Sequence, residues 1–107
     1  MSILTYAGRT LILRVDNGVV FRNTYAADGA TLHYETLEGS AKGAQETVVL
    51  HAAEVGPGLF MLGWVETSGM TITHVMNLTA RTVHAFWTYE AGGNRVAELH
   101  TGTLEPA

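Results

Sequence analysis

Residues 59–76 read LFMLGWVETSGMTITHVM. Two runs rich in Leu, Trp, Val, Thr and Ile flank the short turn Thr67-Ser68-Gly69, the pattern of a β-hairpin whose glycine takes up a left-handed backbone at little cost. Side chains alternate between the faces of a strand, so Phe60, Leu62, Trp64 and Glu66 share one face while Met61, Gly63 and Val65 share the other. The bulkier set is expected to point inward. A three-residue turn with a glycine bulge keeps even-numbered positions opposite even-numbered ones, which carries Met70, Ile72, His74 and Met76 onto the same inner wall. If the next turn keeps that parity, His84, Phe86 and Thr88 follow them, and the earlier segments add Phe21, Leu32, Tyr34, Thr36, Val48 and Leu50.

Outward from this hairpin the punctuation is regular. Turn signals occur at VDNG (15–18), AADG (26–29), EGSAKGA (38–44), VGPG (55–58), TSG (67–69), NLTAR (77–81) and EAGGN (90–94). They separate eight segments, roughly 9–15, 19–25, 30–37, 46–54, 59–66, 70–76, 82–89 and 95–104, each of strand length and composition. No window carries a long helical stripe, and connections this short permit only antiparallel neighbours. A flat sheet of eight strands would expose two edges, whereas curling it closed removes them and encloses an interior. The expectation is an all-β, eight-stranded antiparallel up-and-down barrel occupying residues 1–107 as one domain, with a two-sheet sandwich as the competing architecture.

Composition narrows the function classes. Hydrophobic residues make up 47% and charged residues 15% of the 107, with a mean hydropathy of +0.14, so the chain needs an interior and is far from disorder. A net charge of -4 gives no footprint for nucleic acid and no polybasic patch for a membrane surface. With no cysteine there is no disulfide framework, thiolate metal site or thiol nucleophile. The start, MSILTYAGRTLILRVDNG, is broken by Arg9 and Arg14 and lacks the pattern of a secretory signal, which predicts a cytoplasmic protein and leaves the sequon Asn77-Leu78-Thr79 without relevance.

The run QETVVLHAAEVGPGLFMLGWVETSGMTITHVMNLTARTVHAFW (45–87) resembles the central part of the calycin-like group that holds the phenolic acid decarboxylases and the MoaF-like (molybdenum cofactor biosynthesis protein F related) family. Its most specific piece is Trp-x-Glu followed by a glycine turn and a Thr/Val/Ile strand; DNG at 16–18 and HTGTLE at 100–105 agree more weakly. The resemblance implies a calycin (lipocalin-like) barrel, and it places Glu66 at the position of an interior glutamate that transfers protons in the decarboxylases. The decarboxylases' carboxylate-holding tyrosine pair and arginine are replaced by Leu13, Val15 and about Ser40, which argues against phenolic acid decarboxylation. The MoaF-like branch is the closer in length and pattern.

Each candidate residue has a structural and a functional reading. A buried Glu66 is either paired for stability, with His74, His84 or backbone N–H groups, or held with a raised pKa for ligand orientation or proton exchange. His74 and His84 read first as wall histidines bonded across the barrel; alternatively they form an acid-base pair with Glu66, or with it surround a divalent metal, the weakest of the three readings. His33, His51 and His100 are expected to be solvated. Trp87 and Tyr89, opposite in parity to Phe86, would join Val83 and Ala85 in an outer apolar band suited to a homodimer. AGGN at 91–94 is no phosphate loop, since no helix follows it.

Two functions stay open. The first is a small-molecule-binding barrel lined by Phe21, Tyr34, Leu62, Trp64, Ile72, Met76, Phe86 and Thr88. The second is a cofactor-independent lyase or isomerase in which Glu66, with His74 and His84, moves a proton on a small aromatic or unsaturated substrate. Neither requires a cofactor, a metal, nucleic acid or a membrane.

Overall fold

The computed structural model describes residues 4–107. The strands are β1 (Thr10–Val15), β2 (Val20–Tyr25), β3 (Thr31–Glu38), β4 (Gln45–Val49), β5 (His51–Gly56), β6 (Leu59–Val65), β7 (Thr71–Asn77), β8 (Thr82–Ala91) and β9 (Asn94–Pro106). All neighbours are antiparallel, in the order β4-β3-β2-β1-β9-β8-β7-β6-β5. The two outermost strands of this sheet are consecutive in the chain, with only Leu50 between them. They are halves of one bent strand: β4 pairs with β3 up to Thr31↔Val49, and β5 then pairs with β6 from His51↔Gly63. Rolled in this way the sheet is an up-and-down barrel, nearly closed. The eight expected segments are all present, and the ninth strand arises because the 46–54 segment must leave one neighbour to reach the other.

The other closure is the β1–β9 seam, where Leu13 faces Leu104 and Val15 faces Gly102. A Cβ on Gly102 would lie 2.5 Å from the Arg14 carbonyl oxygen, so only glycine lets the two backbones approach this closely. Alternation along each strand fills the interior with Leu11, Leu13, Leu32, Val48, Leu50, Phe60, Leu62, Trp64, Ile72, Met76 and Leu104, all buried. At the end where β1 starts and β9 finishes, Tyr6 plugs the barrel. It is fully buried, stands edge-on to Tyr25 and Phe60 with ring centroids at 5.3 Å, and donates its hydroxyl to the Gly29 carbonyl at 2.7 Å. Full burial of such a side chain contributes roughly 1.5–3 kcal/mol, so this end is solid core. No helix among the described residues is long and apolar enough to cross a membrane.

One strand has the opposite phase to that expected. Asn77 pairs with Thr82, so β7 and β8 are joined by four residues, 78–81, and Ile72, His74 and Met76 face Trp87, Ala85 and Val83. An even-length loop opposes even positions to odd ones. Within it Asn77 Oδ1 accepts the Ala80 N–H at 2.9 Å, and Arg81 takes φ 58° to turn the chain. Val83, Ala85 and Trp87 are therefore buried inside, and His84 and Phe86 are exposed on the outside. Thr88 also sits on the outer side, beside Thr71 and Arg95. The inward placement of His84, Phe86 and Thr88 is thus corrected, and so is the outer Val83-Ala85-Trp87 band proposed to carry a homodimer. The outer face holds Met61, Val65, Val75, Phe86 and Leu99 instead.

Candidate functional site

The end opposite the Tyr6 plug is hollow. A cavity of about 680 Å³ opens there, lined by the β1–β2 turn, the 39–44 loop, the β6–β7 turn, the β8–β9 ribbon and the inward side chains beneath them. Phe21, Tyr34, Trp64, Ile72, Met70, Trp87 and Tyr89 make its walls, while Asn23 and His74 lie deeper. Phe21 reaches the cavity by plain alternation, on the same face of β2 as the buried Asn23 and Tyr25, and the register shift beside it falls on β3, where Thr36 and Glu38 oppose Phe21 and Val20. Leu62 and Met76 point inward as expected, but both are fully buried core and do not line the cavity.

Glu66 lies at the rim, half-buried, one step beyond β6 and on the same face as Trp64. The TSG turn has the expected form: Glu66 N–H reaches the Met70 carbonyl at 2.8 Å, Gly69 N–H reaches the Glu66 carbonyl at 2.8 Å, and Gly69 has φ 89°. Parity therefore survives the turn. The indole N–H of Trp64 donates to Glu66 Oε2 at 3.1 Å, giving a half-sunk indole the acceptor it needs. Loss of water raises the Glu66 pKa; the Trp64 and Tyr34 hydrogen bonds oppose this, and the charge of Glu46 adds to it.

Glu46 was not among the expected site residues. It occupies the wedge where β4 parts from β6, and its Oε2 accepts both the Thr67 N–H (2.9 Å) and the Thr67 hydroxyl (2.7 Å), tying the two edges together. These bonds, led by the Thr67 hydroxyl, hold its pKa below the ordinary value. Its Oε1 accepts the Tyr34 hydroxyl at 3.3 Å. Tyr34 thus stands between two carboxylates, and burial followed by the charges of Glu66 and Glu46 pushes its pKa well up. It stays a neutral donor at any ordinary pH.

His74 does not pair with Glu66. It is 5% exposed, meets the Trp64 ring edge-on with centroids at 4.8 Å, and its Nδ1 has no partner. Burial lowers its pKa to about 4, so the ring is neutral. Asn23, 2% exposed, likewise has an unpartnered Oδ1; its Nδ2 reaches the Tyr25 hydroxyl at 3.4 Å. With His84 outside the barrel, neither the acid-base histidine pair nor the two-histidine metal arrangement can form.

His33 and His51 are exposed, as expected, but His100 is not free in solvent. The inward phase of β8 passes through the Gly92-Gly93 turn to β9, where Ala85 faces His100 and Trp87 faces Glu98. His100 Nδ1 lies 2.7 Å from Asp16 Oδ1, its Nε2 lies 2.7 Å from Glu98 Oε1, and its ring leans on Trp87 at a centroid distance of 4.4 Å. Doubly protonated, the ring donates to both carboxylates; the Glu98 bond first and Asp16 second raise its pKa. Glu98 also accepts the Tyr89 hydroxyl, and its pKa is lowered mainly by that bond. Glu98, Trp87 and Tyr89 all line the cavity.

A nearly closed antiparallel barrel, solid at one end and hollow at the other under a ring of aromatic and carboxylate side chains, defines a calycin-like domain. The family profile described as MoaF-like matches residues 7–103, and the chain belongs to that family. Among solved structures, a Burkholderia vietnamiensis protein provisionally called a beta-lactamase is similar over 100% of both chains, with a TM-score of 0.88 and 23% identity. At that identity the likeness is one of fold. The comparison with curated proteins finds no match.

Proposed function

We propose that the barrel binds a small molecule with an aromatic or apolar body and a polar group, the body held between Phe21, Trp64 and Trp87 and the polar group met by Glu66 and Tyr34. The observation that carries this reading is the floor of the cavity, where His74 Nδ1 and Asn23 Oδ1 are buried without partners. Such atoms cost roughly 1–3 kcal/mol each when left unsatisfied, and a ligand reaching them would recover that. Beta-lactamase chemistry of the serine type is not supported: Ser68 accepts the Met70 N–H on an exposed turn, and no lysine lines the cavity among the described residues.

A second reading is a cofactor-independent lyase or isomerase. It rests on the raised pKa of Glu66 beside the neutral Tyr34 hydroxyl, a carboxyl that can exchange a proton next to a donor that can stabilise a developing oxyanion. Replacing Glu66 by Gln keeps an acceptor for the Trp64 N–H. Under either reading Glu66→Gln should leave denaturant stability within about 1–2 kcal/mol while weakening binding or turnover tenfold or more. Tyr34→Phe separates the two, since it should abolish turnover but reduce simple binding only a few-fold. A Gln variant with native stability and undiminished binding and turnover would defeat both.

A further inference from the structure

The charged groups lining the cavity are of one sign. Glu46, Glu66, Glu90 and Glu98 bring carboxylates among neutral polar side chains such as Tyr34, Tyr89 and Gln45, and Asn23 in the floor has a buried Oδ1 that accepts from no donor. No Lys or Arg lines the cavity among the described residues. The Lys and Arg side chains of the described residues lie elsewhere: Arg14 pairs with Glu105, Arg22 with Glu35, and Arg95 with Glu90, Thr88 and the Gly69 carbonyl, while Arg9, Lys42 and Arg81 are exposed outside the lining. His74 in the lining is a neutral ring, and both nitrogens of His100, which leans on Trp87, are already taken by Asp16 and Glu98, so that trio carries a net negative charge even with the ring protonated.

Between these acceptors stand aromatic faces. Phe21 meets Tyr34 and Trp87 edge-on at 6.3 Å, and Trp64 and Trp87 flank the hollow from β6 and β8. Ring faces carry negative potential, and with carboxylates at their margins they attract a cation more strongly than either element alone. An organic carboxylate or phosphate entering here would lose its water, meet several like charges and find no fixed cation to replace them. Taking the cavity as the ligand site, a reading on which this one rests, we infer that its ligand is an organic cation: an amine or quaternary ammonium group on an aromatic or apolar body, with a hydrogen-bond donor reaching the Asn23 oxygen.

Both tryptophans of the sequence line this cavity, so intrinsic fluorescence reports its occupancy directly. Titrating the protein with 2-phenylethylammonium, 2-phenylethanol and 3-phenylpropanoate compares one aromatic body with a positive, a neutral and a negative end. The ammonium should bind at least tenfold more tightly than either of the others. Glu46→Gln combined with Glu66→Gln should cost it tenfold or more while leaving the alcohol within twofold. An alcohol or carboxylate that matches the ammonium overturns the cation assignment and leaves the ligand-binding reading standing. If none of the three changes the fluorescence or shows saturation-transfer signals by NMR, both fall. Should the double variant fail to fold, the ranking of the three compounds on the unaltered protein decides.

Discussion

At the scale of the residue, Glu66 and His74 make opposite demands on pH. The folded state holds the Glu66 proton more tightly than the unfolded chain does, so the native state binds more protons across a window opening upward from the ordinary value of 4.5. Stability contributed there falls as pH rises. The difference in unfolding free energy between the wild type and Glu66→Gln should therefore move in favour of the variant as pH climbs through that window, and then level off. A difference that stays flat in urea titrations from pH 4 to 7 would show an unshifted carboxyl. For His74 the sign reverses: the unfolded imidazole takes its proton near 6.5, whereas the folded one resists until about 4. Stability is lost as pH falls between those values, with a slope approaching about 1.4 kcal/mol per pH unit. His74→Phe, which keeps a ring against Trp64, should lack this loss and gain on the wild type in acid. The positions of Trp64, Glu66 and His74 were legible because one well-marked hairpin carries all three. Glu46 was equally legible, since it shares the parity of Val48 and Leu50. His100 was not, because its partners come from β8, β9 and the β1–β2 turn, and their meeting depends on a register set elsewhere.

At the scale of the element, strand existence was legible almost to the residue, and strand phase was not. Turn chemistry marks where a strand stops, but phase across a hairpin depends on whether the loop holds an odd or even number of residues. NLTAR leaves that open because Arg81, not a glycine, takes the left-handed position. A single shift there moved Val83, Ala85 and Trp87 inside, and through the two-residue glycine turn it brought Glu98 and His100 to the interior too. Two substitutions test the register directly. Val83→Glu buries a charge at a site only 1% exposed and should cost roughly 3 kcal/mol or more. His84→Glu, one residue on and facing out, should change stability by no more than about 0.5 kcal/mol. A reversed order, with His84→Glu the costlier in thermal or urea unfolding, would mean that β8 has the other phase.

At the scale of the whole molecule, the barrel divides its labour along its axis: a packed end around Tyr6, Tyr25 and Phe60, and a hollow end where the bent strand opens a wedge that Glu46 and Thr67 clip. Closure of the other kind occurs at the β1–β9 seam. Every other ladder joins strands adjacent in the chain, but the seam joins positions such as Arg14 and Glu105, separated by 91 residues. Contacts of such long separation repay their entropy only after the intervening hairpins have formed, so the seam should zip after the folding transition state. Gly102→Ala forces a methyl against the Arg14 carbonyl and should destabilise by about 1–3 kcal/mol. In stopped-flow chevrons nearly all of that should appear as faster unfolding, with the refolding rate within twofold of the wild type. Refolding slowed in proportion would instead place the seam in the nucleus. If the late seam holds, the lifetime of the closed barrel is governed by one glycine at a contact that plays no part in how fast the barrel is built.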